Sequence, residues 1–165
     1  MDNQNILIRE ATNQDFDAIW EIFHKVVQAG DTYSYAPDTT REEAYLYWMP
    51  PHKKTYVAMK DDKIVGTYVL KPNQPKLGAH VANAGYMVHP DAQGLGVGRE
   101  MALHSIEEAK KQGYLSMQFN LVVSTNKPAV HLWEKLGFQI IGTTPQGFQH
   151  PTLGLVDTYI MYQAF

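Results

Sequence analysis

The sequence contains no cysteine. That removes disulfides, thiolate metal ligands and a cysteine nucleophile together. It also lacks a basic run: 14 Lys and Arg stand against 17 Asp and Glu, a formal net charge of −3. A nucleic-acid backbone needs a cationic face, so nucleic acid is not an expected partner. No segment approaches the roughly 20 apolar residues that span a bilayer. The N-terminal MDNQNILIRE has no basic flank followed by an apolar stretch, the mark of a secretory leader. A soluble, cytoplasmic protein with no membrane partner is the expectation. No repeat, linker or low-complexity tract divides the chain, so residues 1–165 are read as a single domain. At 44% hydrophobic and 19% charged residues the composition is that of a globular chain with a core.

Periodicity supplies the elements. Ile6–Arg9 reads as a short strand, and Thr12 with Asp15 resembles a capping box opening a helix. Phe16, Ile19, Trp20, Phe23 and Val27 form an apolar stripe at helical spacing, closed by Gly30. A second helix is expected from Thr39 or Thr40 to Met49, stopped by Pro50-Pro51. Thr55–Met59 and Ile64–Leu70 flank the turn Lys60-Asp61-Asp62-Lys63, a hairpin signal. A strand over His80–Val88, a helix over Gly98–Lys111, a strand over Leu115–Val123 and a helix over Asn126–Leu136 follow. Gly137 is placed as the last helix's cap, and Phe138–Ile141 and Val156–Tyr162 complete the strands. The order β-α-α-β-β-β-α-β-α-β-β predicts an α/β fold with a sheet of mixed direction flanked by helices.

Between the fourth strand and the third helix lies HPDAQGLGVGRE, with three glycines in five residues. A helix N-terminus offers free amides and partial positive charge, and glycines let an anion approach the backbone. A nucleotide P-loop would end in Gly-Lys-Ser/Thr, whereas Gly98 is followed by Arg99 and Glu100. A dinucleotide fingerprint would read G-x-G-x-x-G near the start of the chain; the spacing here is G-x-G-x-G after a hairpin. A plain tight turn would need fewer glycines.

The segment Gln93-Gly94-Leu95-Gly96-Val97-Gly98 resembles the Gln/Arg-x-x-Gly-x-Gly/Ala signature of the GCN5-related N-acetyltransferase superfamily. Asn126-Lys127-Pro128-Ala129-Val130-His131-Leu132-Trp133-Glu134-Lys135-Leu136-Gly137-Phe138 resembles that family's second conserved segment, N-x-x-A-x-x-L-Y-E-K-x-G-F. The resemblance implies a mixed, mostly antiparallel central sheet flanked by helices. It also implies acetyl-coenzyme A as donor, no metal, a small amine as acceptor and, as often in the family, a homodimer. Gln93 to Arg99 would hold the pyrophosphate, with the Arg99 guanidinium reaching a phosphate oxygen or simply solvated. Tyr86–Pro90 would pair with pantetheine, and a bulge near Val88 would turn its amide toward the thioester oxygen.

Asn126 would contact the cofactor near its sulfur, cap its helix, or do both. Trp133 stands where the family usually carries a tyrosine proposed to protonate the departing thiolate. An indole cannot give up its proton at neutral pH. A thiolate leaving group, of pKa about 8.5, can depart without an acid, and Trp133 also reads as plain packing. On the acceptor side, Tyr33 and Tyr35 in the first inter-helix loop and the strand residues Asn83 and Asn120 are the candidates. Strand-interior asparagines are uncommon, though both could be ordinary satisfied core amides. NAGYMV, QFNLVVSTN and LWEKLGF further resemble acetyltransferases of proline-like amino acids, in which matching asparagines hold the acceptor. His80 is a candidate base, against a solvent-facing role; a water relay would leave no trace in the sequence. A non-catalytic acyl-coenzyme A sensor on the same fold is the alternative function.

Overall fold

The computed structural model describes residues 5–165; the first four residues of the stretch read for a leader lie outside them. Seven strands form one sheet in the order β1-β2-β3-β4-β5-β7-β6. They are β1 Leu7–Glu10, β2 Lys54–Lys60, β3 Lys63–Pro72, β4 Val81–Val88, β5 Ser116–Val123, β6 Gln139–His150 and β7 Gly154–Ala164. The helices are α1 Phe16–Ala29, α2 Arg41–Trp48, α3 Val97–Lys111 and α4 Lys127–Lys135. Every strand pairing is antiparallel except β4 with β5. No helix among the described residues is long and apolar enough to cross a membrane.

The alternation of side chains along the strands builds two cores, one on each face. Tyr56, Ala58, Tyr68, Leu70, Ala82 and Ala84 point to one side, where α3 and α4 cover them with Met101, Ala102, Ile106, Val130 and Trp133. The intervening Val57, Val69 and Met87 meet Phe16, Ile19, Phe23 and Trp48 from α1 and α2 on the other. The stripe read from the sequence is therefore the buried face of α1, and Gly30 closes that helix at φ 67°. The hairpin turn between β2 and β3 also forms as read, with Asp61 and Asp62 at φ 49° and 59°, the left-handed pair that matches strand twist.

Two caps fix the elements on the α1–α2 face of the sheet. Asp15 accepts from the Thr12 amide at 2.7 Å and from Arg9 of β1 at 2.8 and 2.9 Å. Thr40 and Glu43 cap each other at the start of α2, the side chain of each accepting from the other's amide. The helix runs from Arg41 to Trp48, one residue inside the expected Thr40 start and Met49 end, because Thr40 is its cap.

The last hairpin departs from expectation. β6 and β7 run for 12 and 11 residues, well beyond the short strands read at Phe138–Ile141 and Val156–Tyr162. The intervening GTTPQGFQHPTLG falls in neither of those expected strands. As the edge strand, β6 buries only Phe148, so it carries no alternating pattern to read. Pro145 sits inside a register shift between Thr144 and Phe148, where no ladder bond is required. Gln146 takes φ 51° there and donates its amide to Asp157 at 2.9 Å.

Candidate active site

β4 and β5 pair only at Val81↔Ser116 and Ala82↔Met117, then part. The phase of β4 against β3 decides what faces the resulting gap. Asn73 N–H donates to Val81 O and His89 N–H to Val65 O, each at 2.8 Å, which fixes the odd-numbered residues as those bonded to β3. Ala84, Tyr86 and Val88 therefore turn their amides and carbonyls away from β3 and into the split. The β3–β4 register runs unbroken from Pro72↔Ala82 to Gly66↔Val88. The bulge expected near Val88 is thus absent from this pairing; regular alternation alone aims the Val88 amide at the gap. The irregularity on this side lies in β5, between Phe119 and Val122.

The split continues into a cleft of about 240 Å³. Its floor is β4 from Ala84 to Val88, its far wall Phe119 and Leu121 to Val123 of β5, and its lip Gln93 and Gly98 of the glycine loop. Asn126, Ala129, Leu132 and Trp133 of the α4 segment close one side, and Thr32 and Tyr33 the other. The two segments singled out in the sequence thus line one cavity, together with Val88 and Tyr33.

The glycine loop has the geometry an anion needs. Gly94 and Gly96 adopt φ 79° and 80°, and no atom lies within 4 Å of where a Cβ would stand on either. Left-handed backbone and open space together keep the approach to α3 clear. Val97, Gly98 and Arg99 form the first turn of this 15-residue helix, and their amides have no backbone acceptor among the described residues. Val97 is buried against the sheet, anchoring the loop, while Leu95 is 39% exposed. Arg99 is exposed and pairs with Glu100 at 3.1 Å; with His131 and Lys135 it lines an adjoining depression between α3 and α4. These groups fit a pyrophosphate-bearing cofactor: unpaired amides, a helix dipole, clear access and nearby cations.

Trp133 is 8% exposed. It packs on Phe119, Tyr86 and Phe138 at centroid distances of 4.5, 5.0 and 5.6 Å. Packing is therefore real here, and the same ring also forms cleft wall. Asn126 precedes α4 but its side chain makes no capping bond. The capping reading is corrected: Pro128 in the first turn removes one amide that a cap would satisfy, and the Asn126 amide group lines the cleft instead.

Tyr33 reaches from the α1–α2 loop to the split. Its hydroxyl donates to the Tyr86 carbonyl and accepts from the Tyr86 amide at 3.0 Å. It occupies the backbone positions a neighbouring strand would fill. Tyr35 stacks on Tyr33 at 6.4 Å and meets Tyr47 of α2 edge-on at 4.9 Å. Burial raises the pKa of the Tyr33, Tyr35 and Tyr86 phenols above the usual tyrosine range, so all three are neutral at physiological pH. The Tyr86 hydroxyl is spent on Ser105 at 2.6 Å.

Asn83 and Asn120 come together without entering the cleft. Asn73 Oδ1 accepts from Asn83 Nδ2 at 3.2 Å and from Asn120 Nδ2 at 2.8 Å. Asn83 Nδ2 also bridges the parting strands to Gln118 O at 3.1 Å. The two asparagines thus mark the apex of the split, joined by Asn73, which the sequence offered only as part of a Pro-flanked loop. His80 is exposed at the start of β4, some five residues and about 17 Å of strand from the Gly85–Tyr86 region; it does not face the cleft. Among the described lining residues, the only titratable groups are Tyr33 and Tyr86.

Comparison with known proteins places this geometry. The chain is 42% identical to a GCN5-related N-acetyltransferase from Kribbella flavida, over 97% of this chain and 98% of that one, with a TM-score of 0.93. It is 35% identical over 103 residues to the N-acetyltransferase aca1 of Schizosaccharomyces pombe, covering 62% of this chain and 49% of that protein. It is 36% identical over 67 residues to the L-amino acid N-acyltransferase MnaT of Escherichia coli, covering 41% and 38% respectively. The chain thus spans half or less of the length of these curated relatives. The model of the Acetyltransferase (GNAT) family matches residues 16–138, which contain the glycine loop, the split strands and the Asn126–Trp133 wall: the chain belongs to the GNAT family of acetyltransferases.

Proposed function

We propose that the protein transfers an acetyl group from acetyl-coenzyme A to the amine of a small, amino-acid-like acceptor. The observation that carries this reading is the β4–β5 split running directly into an open, glycine-lined helix start. When bound, acetyl-coenzyme A supplies the activated acetyl thioester and a thiolate leaving group.

The chain's own residues supply binding, orientation and charge stabilisation. The free amides of Val97, Gly98 and Arg99 behind Gly94 and Gly96 hold the pyrophosphate, with Gln93 at the lip and Arg99, His131 and Lys135 lining the adjoining opening. The Val88 amide, aimed into the split, is the donor for the thioester oxygen as it gains negative charge. The Tyr86 amide already donates to Tyr33. Asn126 offers its side-chain N–H to the sulfur, and Trp133 with Phe119 and Leu132 keeps the reacting centre apolar. Tyr33 and Tyr35 border the acceptor, and Asn83 and Asn120, at the apex of the split outside the cleft, border its polar end. The acceptor amine loses its proton to water, since the lining phenols are neutral and already hydrogen-bonded. The L-amino acid named for the Escherichia coli relative supports this acceptor class.

A spectrophotometric assay of coenzyme A release across amino acids and small amines tests the proposal. Release with at least one amino-acid-like amine is the expected outcome. The second reading, an acyl-coenzyme A sensor, draws on Trp133 in place of tyrosine and on a cleft without acid or histidine among its described lining residues. It predicts cofactor binding with no thiol release across the whole panel. A homodimer, usual in the family, belongs to the first reading; light scattering giving only the mass of one chain would remove it.

A further inference from the structure

Lys53 and Lys71 converge on one aromatic ring without a counter-ion. The Lys53 ammonium lies 4.6 Å, and the Lys71 ammonium 5.5 Å, from the centroid of Tyr47. Lys53 donates to the Tyr47 carbonyl at 2.9 Å. Among the described residues neither forms an ion pair with a carboxylate. Elsewhere the lysines that line acidic neighbours are paired: Lys25, Lys54, Lys110 and Lys111 each have their glutamate. Burial lowers the Lys53 pKa, and the nearby Lys71 charge lowers it further. Two like charges gathered on a half-buried face repel each other, and an anion between them would relieve both.

The position of this pair is informative. Lys71 is the register partner of Asn83, so both side chains project from the α1–α2 face of the sheet. One step along that face is Gly85, where the Tyr47 hydroxyl lies 3.0 Å from the place a Cβ would occupy. Gly85 lines the cleft. Gly85 thus lies between the cleft and the Tyr47 ring on which the lysines converge, with the Tyr47 hydroxyl over it, and the amide cluster of Asn73, Asn83 and Asn120 adjoins the same face.

Resting on the acetyl-transfer reading, we infer that Lys53 and Lys71 form the anion subsite for the carboxylate of the acceptor, with Asn73 and Asn83 as its neutral hydrogen-bonding border. An amine carrying a carboxylate a few ångströms away would place its nitrogen beside Gly85 and its charge against the Lys53 and Lys71 ammonium groups rather than over the ring they share. The lysines select the acceptor by binding and take no part in the chemical step.

The test pairs kinetics with a direct binding measurement. L-alanine, L-proline and L-methionine are compared with their carboxamides as acceptors for wild type, Lys71→Ala, Lys53→Ala and Lys71→Arg. Lys71→Ala and Lys53→Ala should each raise KM for the carboxylates at least about tenfold, with kcat within about threefold. The carboxamide KM should not change, and Lys71→Arg should recover most of the loss. Equal effects on both ligand sets, or none, would overturn the inference. Independently of turnover, ¹³C-methylated lysines are followed by NMR, with Lys53 and Lys71 assigned through Lys→Arg variants. Both resonances should move on titration with the amino acids, in the presence of acetyl-coenzyme A, and stay still with the carboxamides. Still resonances overturn the subsite even if acetyl transfer occurs. Moving resonances without coenzyme A release uphold the anion site while refuting the transferase.

Discussion

Single residues at the glycine loop act through different physics, and substitutions separate them. Gly96 sits at φ 80° with open space around it, so Gly96→Val combines left-handed strain with a β-branched obstacle at the helix start. We expect at least about a tenfold loss of acetyl-coenzyme A affinity in a variant still folded by circular dichroism. Gly98 is helical, and a Cβ there would make an ordinary 3.8 Å contact with Val88. Gly98→Ala should keep affinity within about threefold, since the helix tolerates alanine better than glycine. Trp133→Tyr restores a phenol to the cleft wall beside Phe119. Coenzyme A release should change by less than about tenfold, because a thiolate leaves without an acid. A much larger gain would show that protonation limits the rate.

Elements position these residues, and their attachments set the pH and stability behaviour. Arg9 of β1 and the Thr12 amide hold the Asp15 carboxyl, lowering its pKa to about 2, with the Arg9 hydrogen bond the largest cause and burial opposing it. A carboxylate depressed in the folded state stabilises above its unfolded pKa near 4 and loses that contribution as pH falls toward 2. Asp15→Asn should cost about 1–2 kcal/mol at pH 7, after discounting for the partly exposed Arg9, and should flatten the acid side of the stability curve between about pH 4 and 2. A variant with unchanged acid dependence by chemical denaturation would contradict this. At α2, Thr40→Ala should cost about 1 kcal/mol through loss of the reciprocal cap with Glu43. Because α2 carries Tyr47, the same change should weaken the acceptor side more than cofactor binding.

Legibility in the sequence followed the number of neighbours an element has. α1, α3 and the inner strands bury one stripe or both faces, and their periodicity reads directly. β6 buries one residue and tolerates Pro145 at an irregular edge, so nothing in GTTPQGFQHPTLG announced a strand. The cofactor half of the site was legible because its residues are contiguous: Gln93 to Arg99 and Asn126 to Trp133 are local motifs. The proposed acceptor half draws on Tyr33, Tyr47, Lys53, Lys71, Asn73, Asn83 and Asn120, which meet only through strand register and the packing of two helices. Asn83 and Asn120 stood out as strand asparagines; Lys53, Lys71 and Asn73 carried no such signal, being ordinary residues at strand ends and loops.

At the scale of the whole molecule, a seven-stranded sheet comes apart once, between β4 and β5, and the two halves of the site meet at that gap. In the proposed transferase, helices α3 and α4 with the glycine loop would form the donor side, and α1, α2 and their connecting loop the acceptor side. The backbone of β4, where among the described residues only Tyr33 meets the gap-facing groups of Ala84, Tyr86 and Val88, adjoins both. Titration calorimetry with acetyl-coenzyme A tests this account most directly. Wild type should bind one equivalent with a Kd on the order of 1–100 µM, and Gly96→Val should lose at least about tenfold while remaining folded. No binding by folded wild-type protein at millimolar acetyl-coenzyme A would contradict it.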